Sequence, residues 1–184
     1  MTKTRLIILP ILGAIAALFL GWSTIFAQTI ERLTDQMSAV EALPSGTVIQ
    51  LTLSEEDATA AAEEYINAHM TELKKMMQQG FGVALDISDP KVRFLPDEVI
   101  LSIRAGFGFL KITPSARADV YWNENSLQVN VKSVDVPIVS VDPAVVNSYI
   151  QEPIQSMIDQ IQVSYNIRSF KIEEGYAVVE VEKR

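Results

Sequence analysis

The chain of 184 residues has no cysteine and one histidine, His69. Without cysteine there are no disulfides, no thiolate metal centres and no attachment through a lipidated cysteine. With one histidine, Ser-His-Asp, Cys-His and histidine-rich metal constellations lack the partners they need or have a single candidate. Positive charge is scarce as well. Lys and Arg number 15 against 23 Asp and Glu, and two of the cations, Lys3 and Arg5, stand at the N-terminus. Beyond Ala27 the balance is therefore 13 (15 less these two) against 23, roughly −10. Such a surface is unfavourable for nucleic acid and for anionic headgroups. The doublet Lys74-Lys75 reads as part of a solvated helix face.

What is present first is an uncharged run from Leu6 to Ala27. About 22 residues at 1.5 Å rise make a helix of roughly 33 Å, close to the hydrocarbon thickness of a bilayer. A cleavable secretory signal also opens on a basic stub and an apolar run. This run is longer than the usual core of roughly 7 to 15 residues, Trp22 sits where an interfacial aromatic would anchor the far end, and Ile25-Phe26-Ala27 is a mediocre cleavage site. The segment reads as an uncleaved signal anchor over residues 1–28. Lys3 and Arg5 hold the N-terminus in the cytoplasm, which makes the rest a single-pass, extracytoplasmic cell-membrane protein.

Residues 29–46 read as a helical stalk, with Ile30, Leu33, Met37, Val40 and Leu43 at helical spacing until Pro44-Ser45-Gly46. One domain over 47–184 follows. Thr47 to Leu53 alternates as a strand. Ser54 then caps a helix whose first turn is Glu55-Glu56-Asp57 and whose apolar arc is Ala58, Ala62, Tyr65, Ile66, Met70, Leu73, Met76 and Met77, ending at Gly80 and Gly82. Alternation predicts strands through Val92 and Phe94, through Val99, Leu101, Ile103 and Ala105, and through Ala118, Val120 and Trp122. A turn at residues 123–126 leads back along Leu127, Val129 and Val131. The phase slips near Ser133, as a bulge would make it. Asp142-Pro143 opens a second helix, interrupted at Glu152-Pro153, and a C-terminal hairpin turns at residues 173–175. The fold class is α+β: a curved antiparallel sheet packed around a long helix, with a second kinked helix and a final hairpin.

The acidic clusters at residues 55–57, 63–64 and 173–174 fall at a helix start, on a polar helix face and in a turn. Those are solvated positions rather than paired catalytic carboxylates. Asp86, Asp89, Asp97 and Asp142 read as turn residues or caps. Gly106-Phe107-Gly108-Phe109 follows a strand without opening a helix, so it marks a bend rather than a phosphate loop. His69 lies near the centre of the apolar arc, as a partly buried histidine bonded to backbone or to a sheet side chain. The abundant feature is adaptable apolar volume, and the candidate lining of a ligand site is Tyr65, His69, Met70, Leu73, Met76, Met77, Phe81, Phe107, Phe109, Trp122 and Met157. No catalytic residue, metal site or cofactor is indicated.

Leu51-Thr52-Leu53-Ser54-Glu55-Glu56 resembles the helix entry of the YpmS-like envelope proteins and their LmeA-like relatives. The similarity continues through residues 131–137 (VKSVDVP) and 167–175 (IRSFKIEEG) and covers roughly Thr47 to Val181. The resemblance implies one N-terminal membrane segment, an exported domain and, through relatives similar to the tubular lipid-binding superfamily, a curved sheet around a helix with an apolar groove. One departure is that the family's asparagine after the acidic entry is replaced here by Thr59-Ala60-Ala61. The expected function is non-enzymatic: a membrane-anchored extracytoplasmic domain that binds a lipid or another apolar ligand as carrier, sensor or presenter. Its partners are the bilayer through residues 6–27 and an apolar ligand. The alternative is an interaction or assembly module of the cell envelope with a filled core, engaging an envelope protein through its edge strands or stalk.

Overall fold

A computed structural model describes residues 44–81, 86–107, 110–123, 126–137, 139–144, 146–148, 155, 159, 162 and 165–184. At residues 73, 76, 77, 79–81, 107, 110, 139 and 140 it describes backbone only. The anchor and residues 29–43 of the stalk lie outside the described residues, as do Glu152-Pro153 and most apolar positions of the second helix. Among the described residues no helix is long and apolar enough to cross a membrane.

The elements are β1 (Val48–Ser54), α1 (Glu55–Phe81), β2 (Asp86–Leu95), β3 (Glu98–Phe107), β4 (Leu110–Ile112), β5 (Ser115–Asn123), β6 (Ser126–Val136), β7 (Val139–Ser140), β8 (Tyr165–Glu173) and β9 (Tyr176–Lys183). A second helix, α2, includes the described residues 143, 144, 146–148, 155, 159 and 162. The class is α+β with antiparallel pairing. The strands form two sheets rather than the single sheet expected: β1-β9-β8, and β2-β3-β5-β6-β7 with β4 against β3. β1 runs into α1 with no loop residue between them and pairs with β9, Val48 opposite Glu182 through Ser54 opposite Tyr176.

Local chemistry explains the helix start. The Ser54 hydroxyl accepts from the Asp57 N–H at 3.1 Å and donates to the Asp57 carboxylate at 2.7 Å, so cap and first turn hold each other. Asp142 caps α2 in the same way, accepting from the Ala144 N–H at 2.9 Å. The strand alternation holds: Val99, Leu101, Ile103 and Ala105 are buried, as are Ala116, Ala118 and Val120, and Leu127, Val129 and Val131. The slip near Ser133 is a bulge in which Lys132 is the extra residue, because Ala118 faces Val131 while Arg117 faces Ser133. Arg168 is the corresponding extra residue in β8. Asp86 and Asp89 are corrections to the turn reading: Asp86 opens β2 opposite Gly106, and Asp89 lies inside it, where Asp89-Pro90 opposes Ile103 alone, with φ +49° at Asp89. A bulge is where a strand tolerates proline, and aspartate is among the residues that accept left-handed backbone. Asp97, also at positive φ, does stand in the β2–β3 turn.

On β2, a border strand of the larger sheet, and on the part of β6 that β7 does not reach, side chains imitate a neighbouring strand. Along β2, the Val92 N–H donates to the Thr59 hydroxyl at 3.0 Å and the Phe94 N–H donates to the Glu55 carboxylate at 2.6 Å. Beyond β6, the Asn147 amide accepts from the Val131 N–H at 2.7 Å and donates to the Val131 carbonyl at 3.2 Å. The buried cluster runs from Leu51 and Leu53 through Ala58, Ala62 and Ile66 of α1 into both sheets and reaches Val146 of α2.

Removing an edge-covering group leaves a partly buried backbone group unsatisfied. Glu55→Ala is expected to lower unfolding free energy by about 2 kcal/mol and Thr59→Ala by about 1 kcal/mol, the larger loss following the charged acceptor. Glu55→Gln keeps an acceptor oxygen and should lose less than Glu55→Ala. Urea unfolding followed by circular dichroism ranks the three.

Candidate functional site

Helix α1 lies antiparallel to β2, since Glu55 reaches Phe94, Thr59 reaches Val92, and Lys74 Nζ meets the Asp86 carboxylate at 2.6 Å. Asp86 begins β2, but α1 continues to Phe81. Its last seven residues therefore run about 10 Å past the strand that flanks the rest of it. On the neighbouring strand, Gly106 faces Asp86 and Phe107 extends one residue further, where it pairs with Leu110 of β4. The backbone thus gathers Met76, Met77, Phe81 and Phe107 at one end of the larger sheet.

The burial of α1 changes as it approaches this end. Ala58 and Ala62 are 1% and 0% exposed and Ile66 is 4% exposed, the small alanines permitting close approach of the helix. Tyr65 and His69 lie in the middle of the same helical arc but are only partly buried. The two rings stack, with centroids 4.0 Å apart and planes 16° from parallel. His69 Nδ1 lies 3.1 Å from the Tyr65 carbonyl oxygen. A carbonyl can only accept, so Nδ1 carries the proton and, in the neutral ring, Nε2 keeps its lone pair. Burial first, and then the Glu72 carboxylate, pushes the Tyr65 phenol above its ordinary value. Met70 packs at the rim of the buried cluster.

The other predicted lining residues are distributed as follows. Leu73 shares α1 with Tyr65, His69 and Met70. Phe109 and Met157 lie outside the described residues. Trp122 belongs to the opposite end of the larger sheet. Glu98 faces Asp119 on β5, and Trp122 lies three residues further on, about 40 Å along the strands from Phe107. It packs against the core beside the β5–β6 turn. Tyr65, His69, Met70 and the α1 terminus form one group, and Trp122 stands apart from it.

Sequence reading overlooked the polar residues that cover the sheet borders. Thr59 and Asn147 each sit beside buried apolar neighbours, Ala58 and Val146. A short hydrogen-bonding side chain on the flank of an apolar helix arc is the available signal. Thr59 also lies in the segment where the family resemblance departs. Among the described residues no group of three or more His, Asp or Glu could hold a metal ion. The chain matches no protein-family model and no curated protein.

The raised Tyr65 value has a definite linkage sign. The unfolded chain loses the phenolic proton first, so the contribution to stability is intact below pH of about 10 and falls as pH rises through the higher folded value. Ultraviolet titration should show a late-ionising component that Tyr65→Phe removes and Glu72→Gln shifts downward.

Proposed function

We propose that this chain is a non-enzymatic, membrane-anchored extracytoplasmic domain that takes up a lipid or another long apolar molecule where α1 runs past β2. The anchor is Leu6–Ala27. The observation that carries this reading is the uncovering of α1: its apolar arc is sealed at Ala58 and Ala62 and partly open at Tyr65 and His69, ahead of its methionine-rich final turns. An apolar stripe that outlasts its covering strand gives an alkyl chain a surface to lie on, and methionine repacks readily around variable shapes. The YpmS-like resemblance supports the same reading, including a curved sheet around a helix. Tyr65 and His69 supply polar atoms at the margin, where a head group would rest. The Glu72 carboxylate nearby favours a neutral or cationic head group over an anionic one.

The test is native mass spectrometry of the full chain released from membranes, with extraction and identification of bound lipid. Bound lipid should be present in the unaltered chain and strongly reduced in a Met70→Glu, Leu73→Glu double variant whose circular dichroism is unchanged. A chain that carries no lipid and does not retain a fluorescent fatty acid sinks the proposal.

The assembly-module reading is favoured by a different observation, the continuity of the buried cluster through both sheets and α1. Crosslinking in membranes separates the two, because an envelope protein captured without any bound lipid fits only that second reading.

A further inference from the structure

The free side of β1 is a bare sheet border among the described residues. Which backbone groups point there follows from the ladder. Lys183 N–H donates to the Thr47 carbonyl at 3.1 Å and Glu55 N–H donates to the Gly175 carbonyl at 3.1 Å, so the odd-numbered residues of this stretch face β9. The N–H and C=O groups of Val48, Gln50 and Thr52 therefore point away from the sheet. The Ser54 carbonyl is committed as the first acceptor of α1. Val48 is 47% exposed, and Gln50 and Thr52 are exposed too. The inward residues Leu51 and Leu53 belong to the core.

Other border stretches show what covering looks like: Thr59, Glu55 and Gly175 serve β2, Asn147 serves β6, and the Asp97 N–H reaches the Ile172 carbonyl of β8 at 3.1 Å. β1 has none of these partners, and it also lacks the usual protective features. From Thr47 to Ser54 there is no charge, no proline and no bulge in its pairing with β9.

We infer that β1 is a self-association edge, pairing antiparallel with β1 of a second copy of this chain about a two-fold axis at Gln50. That register uses the outward groups of all three residues, with Gln50 opposite Gln50 of the copy and Val48 opposite Thr52. It leaves the Ser54 carbonyl with its helix. The cross-strand pairs are β-branched or amide pairs with no like charges opposed. Glu180 and Glu182 of β9 stand three strand spacings from their copies, about 14 Å, beyond the screening length of about 8 Å at physiological salt. A foreign peptide would find nothing on this border to select it, since Val48, Gln50 and Thr52 offer neither a charge nor a pocket. A copy brings the matching strand. Two three-stranded sheets then become one of six strands, independently of any bound lipid.

The absence of cysteine makes the test clean. In an antiparallel hydrogen-bonded pair the Cα atoms are about 5.5 Å apart, within disulfide reach. Full-length Gln50→Cys, oxidised in membranes, is expected to form covalent dimers about tenfold faster than the exposed control Lys91→Cys on the larger sheet. Val48→Cys and Thr52→Cys should crosslink to each other when co-expressed and poorly when alone. Gln50→Lys, with unchanged circular dichroism, should abolish dimers in analytical ultracentrifugation of the detergent-solubilised chain. Equal rates for Gln50→Cys and Lys91→Cys, a monomeric unaltered chain, or faster crosslinking of Thr52→Cys than of Gln50→Cys overturns the inference.

Discussion

Three hydrogen bonds in a closed ring hold the two sheets and the long helix together. The Glu55 N–H donates to the Gly175 carbonyl, the Gly175 N–H donates to the Phe94 carbonyl, and the Phe94 N–H donates to the Glu55 carboxylate. One residue from the β1–α1 junction, one from the β8–β9 turn and one from the end of β2 are thereby fixed against each other. Gly175 has φ +86°, a backbone state that side chains strongly disfavour, so glycine at this place is what lets the turn present both its N–H and its carbonyl. From this corner the rest follows: α1 is aimed along β2, its alanines close onto the core, and its backbone runs on past Asp86, where β2 begins.

The same arrangement separates two kinds of surface on one small domain. The larger sheet has polar atoms from α1 capping Val92 and Phe94 of β2, and Asn147 capping Val131 of β6. Its outward face is ionic. Arg117 meets Glu98 at 3.5 Å and Lys132 meets Asp119 at 2.6 Å, the two acids lying directly opposite each other on β3 and β5. The hydrogen bond to Asp119 holds the Lys132 ammonium above its ordinary value.

Much of this architecture was legible because it rests on short-range rules. Period-two alternation located β3, β5, β6 and β9, the Ser54 and Asp142 caps located the helix starts, and a one-residue slip of phase located the bulge at Lys132. Sheet membership was not legible. Alternation says which face a residue takes but not which strand lies beside it, and β1 pairs with the last strand of the chain, more than a hundred residues away. The role of Glu55 was hidden for a related reason. At the first turn of a helix an acid already has a sufficient local explanation in the dipole, and its bond to Phe94 depends on a strand forty residues on. Of the candidate lining residues, those on α1 were grouped by periodicity. Trp122 was associated with them only by type, which carries no distance.

The pairing of β1 with β9 also orders events during synthesis. β9 is the middle strand of its sheet, and both β1 and β8 depend on it. While the chain is being made, the first described strand has no ladder to join until β9 emerges. The six-stranded sheet can assemble beforehand, but the ring through Gly175 cannot close. Completion of the smaller sheet is therefore set by delivery of β9, and a nascent chain stalled before Gly175 would hold α1 without its corner clasp.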